Sequence, residues 1–166
     1  SLKYLADTGR LDQVSRGVYT LPEVWEDEFV SIQERYKRGV FALDTALFLH
    51  DLTDRTPHKF HMAFPYGYNT SSPKAAGILC SCKKEPYYSL GIALVDTPAG
   101  NTVRAYNAEK TLCEILKPIS HTDIQIITDA FKQYAGRKDK NIPLLSEYAH
   151  QLRVEKRLRP YLEVLL

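Results

Sequence analysis

The spacing of apolar positions changes character several times along this chain, and each change predicts an element. Leu2, Leu5 and Ala6 share one helical face, and Gly9 suits the left-handed residue that follows a helix end. Leu11 to Val14 then reads as a strand, Ser15-Arg16-Gly17 as a tight turn, and Val18-Tyr19 as a returning strand. Pro22 with Glu23, Glu26, Asp27 and Glu28 suits the first turn of a helix, whose apolar stripe is Val24, Phe29, Ile32 and Tyr36. Asp44 is placed to cap another, with Leu43, Ala46, Leu47 and His50 on one side.

The period then shortens to two. From His58 to Phe64, Phe60, Met62 and Phe64 alternate with His61 and Ala63, as in a half-buried strand. A loop is expected from Pro65 to Pro73, followed by strands over Ala76–Lys83, Tyr88–Val95 and Thr102–Tyr106. Helical spacing returns after Asn107, an N-cap for Ala108–Lys117, with Pro118 as the stop. Ser120 and Asp123 have capping-box spacing ahead of Ile124, Ile127, Phe131 and Tyr134, and Gly136 closes that helix. Leu145, Tyr148, Ala149 and Leu152 mark one more helix. Val154, Leu158, Tyr161, Leu162 and Leu165 mark the last, which Pro160 must kink or open. The expected fold is α/β (α+β): about four strands in a mixed sheet, covered by helices, with a helical C-terminus.

Composition adds limits. The 166 residues are 44% hydrophobic and carry a net charge of only +2, so neither a disordered chain nor a uniformly basic field is expected. No apolar run approaches the roughly 20 residues of a membrane span. The opening SLKYLAD has no basic leader, apolar core and cleavage site, so a cytoplasmic location is expected. The charge is unevenly placed. From Phe131 to Pro160, eight Lys and Arg stand against three Asp and Glu. Arg153, Lys156, Arg157 and Arg159 within that stretch form a candidate secondary nucleic-acid patch, the alternative being a solvated helix face.

The opening twenty-two residues follow the order of a winged helix-turn-helix: the end of a recognition helix, then a hairpin whose basic tip, Arg16, can pair with a phosphate. The run GRLDQVSRGVYTLPE, followed by FALDTALFLHDLTDRTP, YNAEKTLCEIL and LLSEYAHQLRVEKRLRPYLEVLL, resembles the AbiEi-type antitoxins of type IV toxin-antitoxin and abortive-infection systems. The resemblance covers nearly the whole chain. It implies residues 1–22 as the remnant of an N-terminal winged helix-turn-helix and residues 23–166 as an α/β antitoxin domain. It further implies a bacterial DNA-binding autorepressor that counteracts a nucleotidyltransferase-like toxin without a stable complex, needing no cofactor and no metal and catalysing no reaction. The partner it implies is operator DNA, bound through the full-length N-terminal domain, with Lys3, Arg10, Ser15 and Arg16 as the contacts carried by this sequence. The first helices of the family's DNA-binding module are missing from the pattern, which predicts weak DNA binding by this length of chain.

Rival chemistry is thin. Asp44, His50, Asp51, Asp54, His58 and His61 crowd one stretch, yet His58 and His61 are expected on opposite strand faces, which spoils a metal site. Asp96, Glu109 and Lys110 could supply the carboxylates and lysine of a metal-dependent nuclease, the main alternative function. Cys80, Cys82 and Cys113 are expected as reduced thiols rather than a thiolate site, and Tyr66, Tyr68, Tyr87 and Tyr88 as amphipathic covers rather than base-stacking platforms. A module that binds only protein partners is the third possibility.

Overall fold

The structure, a computed structural model, describes residues 27–165. Lys3, Arg10, Ser15 and Arg16, with the whole predicted hairpin and the boundary at residue 22, lie outside the described residues. Seven α-helices and a five-stranded mixed sheet make the described part an α/β fold. The strands are β1 (Val40–Phe41), β2 (His61–Pro65), β3 (Leu79–Lys83), β4 (Ile92–Asp96) and β5 (Thr102–Tyr106), in the order β3-β2-β1-β5-β4. Within the sheet β1 runs antiparallel to β2, pairing Val40 with Ala63, and parallel to β5, pairing Phe41 with Ala105. The pairing of β2 with β3 is parallel, from His61 opposite Leu79 to Pro65 opposite Lys83. None of the described helices is long and apolar enough to cross a membrane.

The chain divides into two compact units. The described part of the smaller consists of 27–37 and 97–103. Here Asp27 caps α1 (Glu28–Arg35): its Oδ1 accepts from the Phe29 amide at 3.1 Å. The described helix starts at Glu28, with extended backbone at Asp27, while Pro22, Glu23 and Glu26 lie outside the described residues. Asp27 Oδ2 accepts from Thr97 Oγ1 at 2.6 Å and from Asn101 Nδ2 at 2.9 Å, fastening the turn between β4 and β5 to the helix start. Asp27→Ala removes the cap and both turn bonds, and is expected to destabilise this unit by about 1–2 kcal/mol. Faster exchange of the Phe29 amide in hydrogen-exchange measurements checks it; unchanged protection would contradict it.

The larger unit takes in residues 38–96 and 104 onward. Its helices are α2 (Leu43–Leu49), α3 (Ser71–Ala75), α4 (Ala108–Ile115), α5 (Ile124–Ala135), α6 (Ile142–Gln151) and α7 (Glu155–Leu165). Leu47, Leu112, Ile115, Phe131, Tyr134, Leu145 and Leu158 from five of these helices meet in one core. The central strand β1 is fully buried, and Gly39 before it leaves room for Met62, whose Cε a Cβ there would approach to 2.6 Å. Local signals placed several ends correctly. Asn107 Oδ1 caps α4 by accepting from the Lys110 amide at 2.8 Å, and Gly136 is the C-cap of α5.

Other expectations are corrected. Ala42, not Asp44, is the N-cap of α2; Asp44 stands in the first turn. Asp123 alone caps α5, accepting from the Gln125 amide at 2.7 Å, while Ser120 closes a 3-10 turn (Pro118–Ser120) and donates to the Ile115 carbonyl. Part of the loop expected over Pro65–Pro73 is α3, and the residues from Tyr88 to Gly91 form turns ahead of β4. Pro160 sits inside α7, where it leaves the Lys156 carbonyl without its helical donor.

Candidate functional site

Two clusters in the larger unit carry unusual charge. The first is at the surface, where α6 runs into α7 with almost no spacer. After the C-cap Leu152, Arg153 adopts a left-handed backbone (φ 61°), and the amides of Arg153 and Val154 return to the carbonyls of His150 (3.2 Å) and Ala149 (2.9 Å). Buried Ala149, Leu152, Val154 and Leu158 anchor the reversal from beneath. The last turn of α6 and the first of α7 thereby flank an open cleft of about 650 Å³ lined by His150, Arg153, Glu155, Lys156 and Arg157. The bend brings together three of the four predicted patch residues. Arg159 is exposed but does not line the cleft. His150 Nδ1 lies 3.2 Å from Glu155 Oε2, and among the described residues Arg153, Lys156 and Arg157 form no direct salt bridge, although Glu155 shares the cleft with them. Such a surface offers donors to an anion.

The second cluster is buried on one face of the sheet. Lys110, fully inaccessible, donates from Nζ to the carbonyls of Tyr87 (2.7 Å) and Leu90 (2.9 Å), with the Tyr106 ring centroid 3.7 Å away. Glu114, one helical turn on, has Oε2 at 3.8 Å from Lys110 Nζ and 2.9 Å from Lys83 Nζ on β3. Burial lowers the Lys110 pKa to about 8 against the pull of Glu114. Gly91 makes the arrangement possible: its φ is +81° and a Cβ would come within 2.8 Å of Lys110 Cβ. The ammonium therefore ties the 87–91 turn to α4 and is not a free nucleophile.

His61 of β2 faces the same charges. Its Nε2 is buried without a hydrogen-bond partner among the described residues, and burial together with the Lys83 charge lowers its pKa to about 4. A histidine neutral when folded but protonated when unfolded draws stability away as pH falls from about 6.5 to 4. Urea midpoints across that window should fall in the wild type more steeply than in His61→Phe; equal slopes would contradict this placement.

The remaining sequence candidates do not converge. The nuclease set falls apart, with Asp96 exposed at the end of β4, Glu109 accepting from Tyr134 Oη inside the helical core, and Lys110 committed elsewhere. His50, the C-cap of α2, satisfies its Nε2 on the distant Tyr106 carbonyl at 2.8 Å rather than locally. Asp51, Asp54 and His58 are exposed, and His58 precedes β2 rather than lying in it. Asp44 and His58 share only a small cleft of about 230 Å³, with Thr53, Arg55, Thr56, Pro57 and Ile126. Among the described residues no three His, Cys, Asp or Glu are grouped to hold a metal ion.

Cys80 and Cys82 stand on β3, whereas Cys113 is buried in α4, near the Leu145 carbonyl, with its thiol pushed up to about 12; all three are free. Of the tyrosines, Tyr88 is buried and donates to the Arg38 carbonyl at 2.6 Å, and Tyr68 stacks on Phe64 at 4.5 Å. Tyr66 and Tyr87 remain exposed, each with a lysine over its ring.

The Lys83–Glu114–Lys110 chain is the feature that reading the sequence missed. Its signal was the i,i+4 spacing of Lys110 and Glu114. No family model and no curated protein matches this chain.

Proposed function

We propose that the protein is a DNA-binding autorepressor and antitoxin of a type IV toxin-antitoxin operon, opposing a nucleotidyltransferase-like toxin without holding it in a stable complex. It works in the cytoplasm, by binding rather than by chemistry. The observation that supports this most is the cleft at the α6–α7 junction, where Arg153, Lys156 and Arg157 outnumber the one carboxylate, Glu155, around an open surface. Phosphates are the ligands for which guanidinium forks and a lysine suit such a surface, and they supply affinity without reading sequence. Lys3, Arg10, Ser15 and Arg16 add the N-terminal contacts to operator DNA in this reading.

The test is binding of the operator upstream of the protein's own operon as a function of salt. Affinity for the operator above that for scrambled duplex, falling steeply with added salt, supports the reading. Metal-dependent cleavage of that DNA, lost on replacing Asp96 or Glu109, would put the nuclease in its place.

A further inference from the structure

The edge of the sheet at β3 has unspent bonding capacity. In the parallel pairing with β2, the Leu79 amide donates to the Phe60 carbonyl and the Tyr66 amide to the Lys83 carbonyl, both at 2.9 Å. That register turns the backbone of Leu79, Ser81 and Lys83 toward β2, and the amides and carbonyls of Cys80 and Cys82 away from it. Those outward groups have no backbone partner among the described residues, and Leu79 and Cys82 are exposed. Edge strands are commonly shielded by proline, a bulge or several charges. Here the five residues Leu-Cys-Ser-Cys-Lys contain no proline and one charge, Lys83, already engaged by Glu114.

We propose that β3 pairs antiparallel with β3 of a second copy of this chain, the two-fold axis passing through Ser81. The strand is complementary to itself in that register. Cys80 of each copy faces Cys82 of the other as a pair exchanging two backbone hydrogen bonds, and Ser81 faces Ser81. Lys83 falls opposite the uncharged, exposed Leu79, so no like charges meet and the lysine's alkyl chain covers leucine. A parallel pairing would set Lys83 beside Lys83, which disfavours it. The sheet becomes continuous across two molecules. This association is independent of any DNA-binding role.

The facing cysteines report on the register. Opposed residues in such a pair lie about 5.5 Å apart at Cα, within disulfide reach. The oxidant diamide takes two electrons and two protons from a facing pair of thiols, leaving a disulfide and the reduced hydrazine. Cys80→Ser and Cys82→Ser, mixed in equal amounts and oxidised, should yield a heterodimer joined through Cys82 and Cys80. Either variant alone should yield at least tenfold less. In sedimentation equilibrium the reduced wild type should dimerise, and Cys82→Pro, which deletes an outward amide while sparing the ladder to β2, should raise the dimer dissociation constant at least tenfold. A wild type monomeric at every concentration would overturn the proposal. So would cross-linking of Cys80→Ser to itself as readily as to its counterpart, and the serine variants decide the matter even if the proline variant fails to fold.

Discussion

Replacing Lys110 with methionine is expected to lower the unfolding free energy of the larger unit by about 3–5 kcal/mol, the usual cost of removing one partner from a buried charge cluster. The loss has two sources. The carbonyls of Tyr87 and Leu90 are left without their donor, and Glu114 keeps only Lys83 as a counter-charge in a site that water does not reach. The pH dependence changes as well. Because burial depresses the Lys110 pKa to about 8 against an unfolded value near 10.5, the unfolded chain binds more protons between those values, and this group makes stability rise with pH there. The raised thiol of Cys113 acts oppositely above about pH 9, but it is common to both proteins. The difference between wild type and Lys110→Met in urea unfolding should therefore widen from pH 8 to 10; a constant difference would show that the ammonium is not buried as described.

The second large effect concerns the surface. Reversing Arg153 and Arg157 together to glutamate should weaken operator binding about 100-fold, two charge-assisted hydrogen bonds at about 1.5 kcal/mol each. It should also flatten the salt dependence by about two, one unit for each phosphate no longer engaged. Both side chains are exposed, so thermal stability should hardly change, which separates a binding defect from misfolding. Equal weakening on operator and scrambled duplex is expected, since binding to phosphate carries no sequence information. Unaltered affinity would reduce the patch to a solvated helix face.

Much of the helical C-terminus was legible because its signals are local. Asn107, Gly136 and the apolar spacing of α5 and α6 each act within one or two turns. The misassignments share a different cause. Strand β1 is two residues long, and its identity comes from β2 and β5 on either side, which no local window contains. Asp44 and Ser120 have capping chemistry, yet in each case a neighbour takes the role, because backbone geometry set by packing fixed where the helix could start. The basic cleft was half legible: the charges were plain, but their convergence depends on the left-handed turn at Arg153, a conformation that arginine seldom signals. The Lys83–Glu114 ion pair needed the sheet to bring β3 to α4 and could not be read from spacing.

Cation-to-phosphate binding is the protein's means of action in this account. Its most direct test is the anisotropy of labelled operator duplex titrated with wild type, Arg16→Glu and the Arg153→Glu/Arg157→Glu pair over a range of salt concentrations. The expected result is a steep salt slope in the wild type, and in both variants a lower affinity and a shallower slope, on operator and scrambled duplex alike. Binding that ignores salt, or that both variants leave intact, would contradict it.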